Sequence, residues 1–207
     1  GVQALQHTDH LDAAGAAFLR ARRIPVVCPA QDAVHLQKIG LAVVAALPYW
    51  RSTALLGGTI TAVPARHGRG WIHRLMANGA GFFMALPGEP SIYISGDTVF
   101  TEDVRRALRD FKPDVAVVAA GSARLDVGGP ILMPPEEVAA FVRAAPARVV
   151  ANHLEALNHC PTTRTQLRRR LADGGLLDKT SIPEDGETLT IDAVARIAPP
   201  GGGGAGG

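Results

Sequence analysis

His7-Thr8-Asp9-His10-Leu11-Asp12 packs two imidazoles and two carboxylates into six positions. It runs directly into Ala13-Ala14-Gly15-Ala16-Ala17-Phe18-Leu19, which predicts a helix reaching about Arg22, with Asp9 or Asp12 available to cap it. Residues 1–6 look like the end of a strand. A strand end that delivers His, Asp and His to a helix start gathers the donors that divalent zinc, iron and manganese accept.

Moving outward, the same arrangement recurs. Thr59–Val63 alternates like a strand and ends in the loop Pro64-Ala65-Arg66-His67-Gly68. Gly81–Leu86 and Ser91–Ser95 flank Pro87-Gly88-Glu89-Pro90, a hairpin signal, and the second strand runs into Gly96-Asp97-Thr98. Arg148–Asn152 is a buried strand that delivers His153. His67, Asp97 and His153 thus each follow an apolar strand, at the edge where sheets present functional groups. Taken singly, they also read as a loop histidine, a turn cap and a hydrogen-bonded strand end.

The remaining periodicity predicts short strands at Ile24–Cys28, within Leu41–Leu56 and at Asp114–Ala120, and a last strand at Thr188–Ile191. Helices are expected at Gln31–Ile39, at Glu102–Phe111 behind a Thr101 cap, at Pro134–Ala145 and at Thr162–Ala172. Gly128-Gly129-Pro130 reads as a turn. Alternating strands and helices make the class α/β. The 207 residues suit one domain, here residues 1–196, followed by a flexible Pro/Gly-rich tail at 197–207.

A net charge of +2 is too small to imply a nucleic-acid partner. Cys28 and Cys160 are too far apart in sequence and too few for a disulfide framework, and both read as inert thiols, with a weak alternative metal role for Cys160 near the His159 loop. No apolar run approaches the roughly 18 residues of a membrane span, and no leader is evident, so a cytoplasmic protein without a membrane partner is expected.

The ordered set His7, Asp9, His10, His67, Asp97, His153 resembles the metallo-β-lactamase-fold hydrolases, whose pattern is His-x-His-x-Asp-His, a distant His, an Asp and a last His. Pro-Ala-Arg-His-Gly, Tyr-x-Ser-Gly-Asp-Thr and His153-Leu154-Glu155-Ala156-Leu157-Asn158-His159 bring it closest to the branch similar to ascorbate-6-phosphate lactonase, over residues 3–192. The resemblance implies an αββα sandwich and a divalent metal site of one or two ions, zinc by default, with manganese or iron as alternatives. His7 and His67 would hold one ion, Asp9, His10 and His153 the other, with Asp97 bridging; Asp97, Asp9 and His153 are the expected catalytic residues. A metal-bound hydroxide would attack a small ester, lactone or phosphoester, since paired ions about 3.5–4 Å apart acidify water and polarise the substrate. Arg66, Glu155 and His159 are expected to bind substrate.

Two departures shape the expectation. Leu5 stands where the first motif histidine belongs, so a site biased toward one metal, at Asp9, His10 and His153, is expected. The family's strands ahead of the motif are represented by six residues, so the sandwich is read as N-terminally truncated, with open sheet edges that invite self-association. The alternatives are a weakened or inactive member acting as a binding protein, and a nuclease supported only by Arg164, Arg168, Arg169 and Arg170.

Overall fold

The computed structural model describes residues 11–69, 79–125, 129–155 and 160–191. The expected strand at residues 1–6, the cluster His7, Asp9 and His10, and His159 lie outside the described residues. The helix after the opening stretch is α1 (Ala13–Ala21), and Asp12 is its cap, its Oδ1 accepting from the Gly15 N–H at 2.6 Å. Asp12 therefore has a structural role satisfying a helix-end donor.

A short parallel pair, β1 (Pro25–Pro29) and β2 (Ala42–Leu47), encloses α2 (Ala33–Lys38). The ambiguous stretch from Leu41 to Leu56 resolves into β2 and β3 (Ser52–Leu55), separated by the turn that carries Pro48. β4 (Gly58–Ala65), β5 (Gly79–Ala85) and β6 (Ile92–Ile94) continue as an antiparallel meander. Three helices then alternate with strands: α3 (Glu102–Phe111), β7 (Val115–Ala119), α4 (Pro135–Ala144), β10 (Arg148–Asn152), α5 (Arg164–Asp173) and β11 (Thr180–Ser181). Between β7 and α4, β8 (Arg124–Leu125) and β9 (Gly129–Pro130) form a small ladder, so Gly129 and Pro130 pair with a strand rather than making a bare turn.

The main sheet has seven strands in the order β11-β10-β7-β6-β5-β4-β3. β11, β10, β7 and β6 are parallel neighbours, and β6, β5, β4 and β3 are antiparallel. Two reversals bring β4 back into the direction of β6. The C-terminal ends of β4, β6, β7 and β10 consequently share one edge of the sheet.

Strand alternation sends side chains to two faces. Val63, Tyr93, Ala116, Val118, Val149 and Ala151 meet the helices, whose buried stripes are Val104, Ala107 and Leu108 on α3, Val138, Phe141 and Val142 on α4, and Leu167 and Leu171 on α5. Ile60 and Ala62 face the other way and pack with Leu47, Val27, Phe82 and Met84 beneath the β1–β2 pair. α2 packs against β2, so helices and strands are layered as the α/β class requires. Among the described residues the second sheet consists of β1 and β2.

One expectation is corrected. The last strand is Thr180–Ser181, paired with Val149 and Val150 of β10, and residues 188–191 are not in a strand. Gly175 (φ 64°) turns the chain out of α5 and a short 3-10 turn, Leu177–Lys179, returns it to the sheet at once. Pro183, two residues after Ser181, has no N–H to continue a ladder.

Tyr93 is wholly buried in the helix-side core, and among the described residues its hydroxyl has no hydrogen-bond partner. Burial pushes its phenol well above the ordinary value. An unsatisfied buried hydroxyl costs about 1–3 kcal/mol. Tyr93→Phe is therefore expected to hold stability or raise it by about 1–2 kcal/mol in urea unfolding; a loss above about 1 kcal/mol would show that the hydroxyl is satisfied.

Candidate metal centre

The shared sheet edge is where the chain places its donors. His67 follows β4 and is buried, with 5% of its side chain exposed; Asp97 follows β6 at 12% and His153 follows β10 at 14%. The Oδ2 atom of Asp97 lies 3.4 Å from Nε2 of His67 and 3.8 Å from Nε2 of His153. Both separations exceed the ~3.2 Å upper range of a good N–H···O bond. Each is a pairwise spacing that a carboxylate and an imidazole can take when they share an ion, since metal–ligand distances near 2.1 Å put tetrahedral donors about 3.4 Å apart.

Backbone stitching fixes this arrangement. The loop after β4 is tied to the loop after β6 by Arg66 N–H to Thr98 Oγ1 (3.0 Å) and Val99 N–H to the Arg66 carbonyl (3.0 Å). Gly96 sits in the left-handed region (φ 63°), and a Cβ there would lie 2.6 Å from the Ala80 carbonyl oxygen. The turn that aims Asp97 therefore requires glycine. At the start of β6, Ser91 N–H and Oγ both donate to Asp114 Oδ2, at 2.8 and 2.7 Å, which locks the strand's register beside β7.

His153 is reached by a different device. It is a non-glycine residue with φ 55°, a conformation that costs free energy and persists only when the surroundings enforce it. Gly121, just past β7, supplies the room. A Cβ on Gly121 would collide with the His153 carbonyl oxygen and lie 2.8 Å from both Cβ and Sγ of Cys160. Cys160 is buried, and its Sγ is 3.4 Å from Nδ1 of His153. The sequence offered Cys160 only as an inert thiol or, from its place near the His159 loop, a weak metal candidate; its contact with His153 carries no strand-end signal.

Three donors do not complete a metal cage. Among the described residues no group of three or more His, Cys, Asp and Glu side chains is arranged to hold an ion by itself. Two imidazoles and one carboxylate nonetheless fit a borderline divalent ion such as zinc, and the other expected donors, His7, Asp9 and His10, fall outside the described residues.

The expected substrate residues divide. Arg66, next in sequence to His67, is exposed and lines a cavity of about 340 Å³ with Arg69 and residues 99–103. Arg69 is paired with Glu137 at 2.8 Å, and that carboxylate also accepts from Phe100 N–H. Glu155 is instead tied to the start of α5: it accepts from Arg164 N–H at 3.0 Å and pairs with its guanidinium at 3.2 Å. Desolvation pushes the Glu155 carboxyl up, but backbone N–H groups and Arg164 outweigh it and hold the carboxyl below its ordinary value. The arginines of α5 are largely neutralised. Arg164 also meets Glu184 and Asp185, Arg168 meets Glu184 at 3.3 Å, and Arg170 lies 3.9 Å from Glu136. That pairing weakens the case for phosphate-backbone binding on this helix.

The sequence profile of the Beta-lactamase superfamily domain matches residues 5–154. The chain belongs to the metallo-β-lactamase superfamily. UPF0173 protein YddR of Bacillus subtilis (strain 168) is 29% identical over 188 residues, 89% of this chain and 73% of that protein. Two superfamily-fold crystal structures are similar over most of the chain. An isothiocyanate hydrolase from Delia radicum gut bacteria is 30% identical with a TM-score of 0.81, covering 91% of this chain and 75% of its own. A possible metal-dependent hydrolase from Veillonella parvula DSM 2008 is 26% identical with a TM-score of 0.80, covering 90% and 73%. Among the described residues no helix is long and apolar enough to cross a membrane.

Because Gly121 lies against His153 and Cys160, Gly121→Ala is expected to cost about 2–3 kcal/mol in urea unfolding, the upper range for overpacking. A cost below about 0.5 kcal/mol would mean that the β7 loop yields without strain.

Proposed function

We propose that this chain is a metal-dependent hydrolase acting on a small ester, lactone or phosphoester. The observation that carries the reading is one carboxylate oxygen of Asp97 facing Nε2 of both His67 and His153 at a sheet edge. His153 would present its imidazole lone pair to the ion expected at Asp9 and His10, His67 with His7 would make the weaker second position, and Asp97 would lie between the two. A bound ion supplies Lewis acidity and lowers the pKa of water toward neutrality.

The protein's own contribution is position. The buried His67 and the largely buried Asp97 and His153 limit bulk water around the reacting atoms, which strengthens each electrostatic contact. The Arg66 guanidinium, on the wall of the neighbouring cavity, would hold an anionic substrate group such as a phosphate or carboxylate. The motifs shared with the ascorbate-6-phosphate lactonase-like branch support a lactone or phosphorylated substrate. The similar isothiocyanate hydrolase adds a second electrophile, a carbon flanked by nitrogen and sulfur, to the substrates worth trying.

Leu5 in place of the first motif histidine supports a single tightly held ion. Mass spectrometry of the dialysed protein is expected to find about one equivalent of zinc, manganese or iron per chain; two tightly bound equivalents would remove the one-ion reading. Against a panel of small esters, lactones, phosphoesters and isothiocyanates, Asp97→Ala is expected to lower turnover by about 100-fold or more, the several kcal/mol that metal chemistry contributes. Turnover unchanged by Asp97→Ala would sink the mechanism. Metal bound without turnover of any panel member would favour the binding-protein alternative.

A further inference from the structure

We infer that Cys160 is a positioning residue: its sulfur accepts a hydrogen bond from Nδ1–H of His153 and so holds Nε2, with its lone pair, toward Asp97. The inference rests on the reading of His153 as a metal ligand. It assigns a task to a buried thiol that the proposed chemistry does not otherwise use.

The geometry supports it from both sides of the imidazole ring. Nε2 faces Asp97 at 3.8 Å, while Nδ1 faces Cys160 Sγ at 3.4 Å. A neutral imidazole carries one N–H, and the nitrogen that keeps its lone pair is the one able to bind metal. If Nε2 is the ligand, Nδ1 carries the proton and sulfur is its acceptor. The partner of the second ring nitrogen commonly sets both tautomer and ring orientation in metal sites, a role usually taken by a carboxylate or a carbonyl. Here the acceptor is sulfur.

The sulfur is itself held in place. Cys160 packs on the bare Cα of Gly121. Two residues on, Thr162 N–H donates to the Gly121 carbonyl at 3.2 Å, and Thr162 Oγ1 donates to Ser122 Oγ at 2.6 Å. Ser122, itself at φ 56°, donates a hydrogen bond from its hydroxyl to the Met133 carbonyl at 3.2 Å. A chain of short polar contacts thus clamps residues 160–162 to the end of β7. The same glycine accommodates the His153 carbonyl, so ring, backbone and thiol are fixed against one surface.

The test uses the full chain, with zinc as the probe. Zinc affinity is measured by competition with a chromophoric chelator for the native protein, Cys160→Ala and Cys160→Ser. Thermal unfolding of each apoprotein is followed by circular dichroism. Side-chain ¹⁵N shifts of His153 are read in the zinc-loaded native protein. Cys160→Ala is expected to weaken zinc binding about 10- to 100-fold. Cys160→Ser, which keeps an acceptor, should recover most of that loss, and the native ¹⁵N spectrum should place the proton on Nδ1. Equal zinc affinity in Cys160→Ala and the native protein would overturn the proposal alone, as would a proton found on Nε2. The nitrogen assignment needs no variant, so it stands even if Cys160→Ala fails to fold. A native protein that binds no zinc would instead remove the metal reading of the site, and this proposal with it.

Discussion

Four strands ending at one edge of a sheet is the constraint from which the candidate site follows. β4 reaches that direction by two antiparallel reversals from β6, while β7 and β10 reach it through helical crossovers. Different local rules therefore deliver His67, Asp97 and His153 to the same place. Hydrogen bonds between neighbouring strand-end loops then convert a shared edge into side-chain distances below 4 Å. Misdirecting β4, β6 or β10 would send its donor to the opposite end of the sheet.

The strand-end donors were legible in the sequence because each follows a short apolar strand, alternating at Thr59–Val63 and a buried run at Arg148–Asn152, and each strand ends on a residue of different chemistry. Ser95-Gly96-Asp97 carried a further signal, since glycine before an aspartate marks a turn that the structure shows to require φ above zero. Other parts were not legible for physical reasons. β11 has only two residues, too few for any period to register, and its pairing is dictated by how α5 ends. Thr188–Ile191 alternates better but lies beyond Pro183 and the turn in which Glu187 N–H donates to the Glu184 carbonyl. The contact of Cys160 with His153 was not legible because it is made by tertiary packing over Gly121, which leaves no mark at the level of spacing. Likewise, the sequence did not show that the carboxylate of Glu155, expected at the site from the His153–His159 stretch, accepts from the first N–H of α5.

Charge on α5 illustrates how composition misleads when read one segment at a time. Four arginines within residues 164–170 suggest a phosphate-binding face. Glu155, Glu184, Asp185 and Glu136 come from three other parts of the chain and meet that helix. Exposed pairs of this kind contribute little stability each. Their effect is to fix where the 182–187 segment lies, which is also where the chain leaves β11.

The division of the main sheet into an antiparallel and a parallel half has a consequence for the order in which contacts can form. β3 to β6 are neighbours in sequence as well as in space, so His67 and Asp97 belong to a unit with low loop-closure cost. His153 joins only after the chain has crossed through both α3 and α4, contacts of the long-range kind that slow folding. A ligand that requires all three side chains has affinity only for the chain in which both halves are docked. By mass action such a ligand stabilises the completed fold by RT ln(1 + [L]/Kd). Availability of an ion would then tune how much of the chain is folded as well as how much of it is active.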